Sequence, residues 1–143
     1  MSPASIPPDG ILVVIPAFNE ARNIRRVVAA VMALGHTVLV VDDGSIDATA
    51  AEAGAAGAEV HSLAVNTGKG AALRAGFRLA GDRRIAAVVM MDGDGQHDPA
   101  EIGRLTAVLG EGAAAMVIGS RMADARSMPL VRRWTNRCMS RIV

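Results

Sequence analysis

Apolar positions along the chain follow two alternating patterns. Residues 11–15, 37–41 and 85–91 are runs of Val, Ile, Leu, Ala and Met with few polar breaks. Such runs are expected of strands buried on both faces. The short segment Glu59 to Leu63 and the run at 114–118 add a third and a fifth strand to the order. Between the first two runs the spacing changes: Ile24, Val27, Val28 and Val31 recur at i, i+3, i+4 and i+7, the signature of an amphipathic helix. Pro16 is read as the stop of the first strand, Asn19 as the cap of that helix and Gly35 as its end.

An Ala-rich helix is predicted near 47–56, and another over 69–80 with Leu73, Phe77 and Leu79 available to the core. Asp98-Pro99-Ala100-Glu101 has the features of a helix start: a capping Asp, Pro at the first position and Glu three after the cap. Pro129 begins a last predicted helix, with Leu130, Val131, Trp134, Cys138 and Ile142 on one side. Arg132, Arg133, Asn136, Arg137 and Arg141 lie on the other.

Strands alternating with helices imply an α/β fold, a mostly parallel sheet covered by helices on both faces. Ligands in such sheets bind beyond the carboxyl ends of the strands. Four strands end in polar, turn-forming clusters, at 16–20, 42–47, 92–96 and 119–121. All four are expected on one edge.

Composition sharpens this outline. The chain's 143 residues make one domain, and its aromatic residues are Phe18, Phe77 and Trp134, so the core is aliphatic. The net charge of +1 conceals an asymmetry. Residues 1–120 carry nine Lys/Arg against thirteen Asp/Glu, whereas 121–143 carry six Arg against Asp124 alone. A basic end after an acidic body points to an anionic partner there. Nucleic acid is a poor fit, because no aromatic stacking platform accompanies the arginines. Cys138 is the lone cysteine, which excludes a disulfide framework or thiolate metal site within one chain and suits a reducing compartment. The first residues lack a signal-peptide pattern, and no apolar run approaches the ~18 residues of a membrane span.

Chemistry concentrates in Asp92-Gly93-Asp94-Gly95-Gln96-His97. Carboxylates at i and i+2 after a strand aim at one point. With no Lys or Arg expected nearby, they call for a cation between them. Asp92, Asp94 and Gln96 supply oxygens suited to Mg²⁺ or Mn²⁺, with positions left for water and a diphosphate. His97 is read as a hydrogen-bonding partner rather than a ligand. In Asp42-Asp43-Gly44-Ser45-Ile46-Asp47, Asp42 or Asp43 is placed to accept hydrogen bonds from a ribose or base. Asp47 is read as the cap of the following helix. Gly68-Lys69-Gly70 opens a helix without the Walker A frame and is a weaker phosphate-binding candidate. Arg121 follows a strand directly, placed to clamp a phosphate.

These motifs together resemble family 2 glycosyltransferases of the GT-A fold, and among them the polyprenyl-phosphate glycosyltransferases typified by dolichol-phosphate mannosyltransferase. The matching stretches are Val14-Ile15-Pro16-Ala17-Phe18-Asn19-Glu20, Val40 to Asp47, Asn66 to Ala72, Met91 to Pro99 and Ile118 to Arg121, in the family's order. Phe18 stands where a Tyr is frequent. The resemblance implies that Pro16, Ala17, Glu20 and Asp43 hold a nucleotide and that Asp92, Asp94 and Gln96 hold the metal. It also implies that Arg121, with an Arg of the 132–137 segment, meets a lipid phosphate.

The domain division that follows is a flexible stretch 1–10, a nucleotide-sugar-binding domain 11–121 and the start of a basic, membrane-facing helix 122–143. Family members continue well past the equivalent of Val143, so the acceptor half is expected to be truncated. The expected function is transfer of a sugar from a UDP- or GDP-linked donor to a polyprenyl phosphate at the cytoplasmic face of a membrane, with Asp94 and Arg121 as catalytic groups and Lys69 assisting. The alternatives are a transferase with a hydroxyl acceptor, for which Asp124 is the carboxylate left to serve as base, and a nucleotide-sugar-binding domain without turnover. A phosphatase using Asp92 and Asp94 fits worse, since such a pair usually ends a first strand.

Overall fold

The computed structural model describes residues 6–111, 116 and 117. The fifth strand falls largely outside these residues. Arg121, Asp124, Cys138 and the predicted last helix fall wholly outside them.

Four parallel strands form one sheet: β1 (Ile11–Ala17), β2 (Thr37–Asp42), β3 (Glu59–Ser62) and β4 (Ala87–Met90), in the order β3-β2-β1-β4. The helices are α1 (Ile24–Met32), α2 (Thr49–Ala55), α3 (Lys69–Gly81) and α4 (Ile102–Gly110), with short 3-10 turns at Pro8–Gly10 and Pro99–Glu101.

Central β1 is buried along its whole length. Ile11, Val13, Ile15 and Ala17 join one core cluster with Ile24, Val27, Val28 and Val31 of α1. Leu12 and Val14 join a second cluster with Ala72 and Ala80 of α3. This is the period-two alternation of a strand with a helix layer on each side. Each fully buried Val, Ile or Leu contributes on the order of 2 kcal/mol. Ile6 packs against the first cluster, and the His36 ring meets the Pro8 carbonyl at 3.1 Å.

Three details depart from the sequence reading. Pro16 does not stop β1, which runs on to Ala17. The Val14 carbonyl accepts from Met91 on the β4 side, and the Ala17 carbonyl accepts from Asp43 on the β2 side. Pro16, two residues after Val14, therefore turns its missing N–H toward the β4 side, past the last paired residue of β4. Asn19 does not cap α1, which begins at Ile24 behind Asn23. Instead it sits at φ 55° and bonds to the loop after β2.

Phe77 is the third departure, since it does not enter the core and stays 48% exposed. The buried stripe of α3 is Ala72, Gly76 and Ala80, small residues four apart. A Cβ on Gly76 would lie 2.5 Å from Val14 Cγ1. Small residues let α3 lie close on β1, and that leaves no room for a phenyl ring.

Candidate functional site

The strand order changes direction between β1 and β4. From β1 the chain moves outward through β2 to β3, then α3 carries it back to β4 on the far side of β1. The loops leaving β1 and β4 part there, opening a crevice at the carboxyl edge. A cleft of about 240 Å³ occupies it, lined by Pro16, Ala17, Phe18, Glu20, Asp43, Lys69, Ala72, Asp92, Gly93 and Asp94. That is below the ~300–1,000 Å³ of sites that enclose a whole drug-sized ligand.

The loop after β1 is fixed by the loop after β2. Asn19 N–H donates to Ser45 Oγ at 2.9 Å, and Ile46 N–H donates to Asn19 Oδ1 at 3.0 Å. Glu20 N–H donates to Thr49 Oγ1 at 2.8 Å, and the Thr49 hydroxyl donates to Asp47 Oδ1. Asp47 also accepts from Thr49 N–H at 2.9 Å and from Ala21 N–H at 3.2 Å. The Thr49 hydroxyl, ahead of the backbone donors, holds the Asp47 carboxyl below its ordinary value against a smaller desolvation effect. Asp47 is not the cap residue of α2, which begins at Thr49 behind Ala48, but its carboxylate accepts the helix's first N–H and also pins the β1 loop.

Asp42 and Asp43 are both buried, and their side chains do different work. Asp42 Oδ1 accepts from Ser45 N–H at 3.2 Å, which closes its own turn. Asp43 reaches across to the segment before α3. Its Oδ1 accepts from Thr67 N–H at 2.9 Å and the Thr67 hydroxyl at 3.0 Å, and its Oδ2 accepts from Gly68 N–H at 2.7 Å. Gly44 makes this approach possible: it sits at φ +70°, and a Cβ there would lie 2.6 Å from the backbone of Val65 and Asn66.

The carboxylate pair follows β4. Asp92 Oδ1 lies 2.5 Å from Lys69 Nζ, so Asp92 has a cationic partner that no local pattern disclosed. His97 Nδ1 accepts from Asp92 N–H at 3.3 Å, which makes it the hydrogen-bonding partner expected. Asp94 Oδ1 accepts from Gln96 N–H at 2.8 Å and fixes the turn. Asp98 caps the Pro99–Glu101 turn by accepting from Ala100 N–H at 2.9 Å.

Seven residues singled out from the sequence (Pro16, Ala17, Glu20, Asp43, Lys69, Asp92 and Asp94) meet in this cleft. Asp42 and Gln96 are not among its lining residues. Phe18, Ala72 and Gly93 join it without having been assigned a place. Thr49 and Thr67 have no place in the sequence reading, because the contacts that tie them to the loops around the cleft, with Glu20 and Asp43, span 29 and 24 residues.

The donor set fits a hard divalent cation. Among the described residues no group of three or more His, Cys, Asp or Glu could hold a metal alone. Mg²⁺ and Mn²⁺ are commonly held by one or two carboxylates and completed by substrate phosphates and water. Asp92 and Asp94 on an open cleft match that requirement.

Comparison with known proteins gives the family and the fold. The profile of Glycosyl transferase family 2 matches residues 12–138. A polyprenol monophosphomannose synthase of Mycolicibacterium smegmatis is 38% identical over 92% of the chain and 52% of its own length. An undecaprenyl-phosphate mannosyltransferase of Micrococcus luteus is 37% identical over 82% of the chain and 51% of its own length. The chain therefore spans about half the length of these relatives. Among solved structures, glucosyl-3-phosphoglycerate synthase of Mycobacterium tuberculosis, in complex with Mn²⁺, UDP-glucose and phosphoglyceric acid, superposes with a TM-score of 0.60. It is 32% identical over 72% of this chain and 40% of that one.

Proposed function

The chain belongs to glycosyl transferase family 2, and on that premise we propose that it moves a hexose from a UDP- or GDP-linked donor to a polyprenyl phosphate, with inversion at the transferred carbon. The observation that carries this reading is the meeting of Asp43, Lys69, Asp92 and Asp94 on one cleft at the β1–β4 crevice. The two relatives named for polyprenyl-phosphate mannosyl transfer support the choice of acceptor.

The roles are those the family resemblance implies, and the shared cleft supports them for the residues that line it. Pro16, Ala17 and Glu20 form the nucleotide side of the cleft, with Asp43 behind them. Asp92, Asp94 and Gln96 would hold Mg²⁺ or Mn²⁺, and the Gln96 backbone N–H also donates to Asp94. When bound, the metal neutralises charge developing on the departing diphosphate. Lys69 adds a positive charge on the same side. The bond from the sugar's anomeric carbon to the diphosphate breaks as a bond to an acceptor phosphate oxygen forms. A phosphate monoester has its second pKa near 6, so the acceptor is largely ionised at pH 7 and needs little or no general base. Arg121, with an Arg of 132–137, binds the lipid phosphate, and the basic stretch 121–143 lies against the cytoplasmic membrane surface. Among the described residues no helix is long and apolar enough to cross a membrane.

A hydroxyl acceptor is the second reading, favoured by the superposition on a synthase bound to phosphoglyceric acid. Incubation with labelled UDP- and GDP-hexoses, Mn²⁺, and either a short polyprenyl phosphate or 3-phosphoglycerate separates the two. We expect lipid-extractable label that requires the polyprenyl phosphate. Label on phosphoglycerate alone favours the second reading. Donor binding without transfer to either acceptor contradicts turnover.

A further inference from the structure

The Lys69–Asp92 ion pair joins the first residue of α3 to a carboxylate assigned to the metal. We propose that Lys69 is a placeholder for the divalent cation. It occupies Asp92 while the cleft lacks nucleotide and moves to the diphosphate when donor binds, so that metal affinity depends on the nucleotide. The inference rests on the nucleotide and metal assignment above and adds a direction of coupling to it.

Three observations support it. The ammonium is 2.5 Å from Asp92 Oδ1, so a divalent ion cannot take that oxygen while Lys69 holds it. The pair is weak enough to exchange, because the side chains are 55% and 31% exposed and water screens them. The exchange also needs no backbone movement. Thr67 and Gly68, just before Lys69, are tied to Asp43, while the lysine side chain is long and rotates freely. A diphosphate entering the cleft offers Lys69 more negative charge than one carboxylate does. Removing the ammonium from Asp92 then restores that oxygen to the cation and relieves like-charge repulsion. By linkage, nucleotide strengthens metal binding by the factor with which metal strengthens nucleotide binding.

Calorimetric titration of the full chain with Mn²⁺, alone and with saturating UDP or GDP, tests the proposal without a turnover measurement. Lys69→Met and Lys69→Arg are titrated alongside. For the parent we expect weak Mn²⁺ binding alone and markedly tighter binding with one of the nucleotides. Lys69→Met should bind Mn²⁺ alone on the order of tenfold more tightly than the parent, with the nucleotide effect reduced to match. Lys69→Arg keeps the charge and should behave as the parent does. If the parent shows nucleotide-dependent Mn²⁺ binding and Lys69→Met does not bind Mn²⁺ alone more tightly, the placeholder role is wrong and the site assignment stands. If no nucleotide alters Mn²⁺ binding to the parent, the site assignment falls and the placeholder role falls with it.

Discussion

Asp43 Oδ2 accepts the Gly68 N–H at 2.7 Å, tying the end of β2 to the start of α3 across the cleft. With Thr67 donating twice to Oδ1, this buried carboxylate is met by three donors. Asp43 therefore positions the backbone that carries Lys69, besides lining the cleft. Asp43→Asn turns an amide NH₂ toward N–H and O–H donors, and hydrogen bonds to a charged group are worth about 1.5–3 kcal/mol. We expect a stability loss of that order in urea denaturation, with nucleotide-dependent stabilisation lost as well. Unchanged stability would remove Asp43 from this positioning role.

Asp94→Asn retains an oxygen for the Gln96 N–H but removes the charge from the cleft. The fold should hold, within about 0.5 kcal/mol of the parent. Sugar transfer should fall on the order of 100-fold, in line with the loss of one electrostatic stabiliser. Transfer at the parental rate would show that Asp94 does not serve the metal.

Gly76→Ala tests the close contact between α3 and β1. The new methyl meets Val14 Cγ1 at 2.5 Å, and overpacking of this kind costs about 1–3 kcal/mol. The thermal midpoint should drop, and Gly76→Ala combined with Val14→Ala should cost less than the sum of the two single changes. A single variant as stable as the parent would contradict the tight packing.

Acid titration reports on the Thr49–Asp47 contact. The folded Asp47 pKa lies below its ordinary value of 3.8, chiefly through the Thr49 hydroxyl. The stability it contributes is therefore complete above the unfolded value and is lost as pH falls through the folded one. Thr49→Val removes the hydroxyl, so the Asp47 carboxyl should titrate at higher pH by NMR. An unmoved titration would assign the lowering to the backbone donors.

What the sequence made legible follows the range of each interaction. The pattern of the first four strands, the α1 stripe and the Asp98 cap rest on neighbours within a few residues, and the structure reproduces them. The convergence of strand-end loops on one edge follows from βαβ chirality and holds for the three loops within the described residues. Phe77 lies off the core because the Ala72–Gly76–Ala80 stripe, not the large apolar residues of α3, sets the helix-to-sheet distance. The Lys69 partner of Asp92 and the Thr49 relay were not legible, since side-chain contacts across 23 and 29 residues leave no periodic trace. The tolerance of Pro16 within β1 depends on where β4 ends, a property of the assembled sheet that no local pattern carries.

Thermal stabilisation of the chain by UDP, GDP and their hexose conjugates, each with and without Mn²⁺, is the most direct test of the cleft at the β1–β4 crevice. We expect one base series to stabilise the protein strongly with the metal and little without it, and Asp94→Asn to abolish the difference. Equal stabilisation with and without Mn²⁺, or none from either nucleotide, would contradict a nucleotide diphosphate held through Asp92 and Asp94.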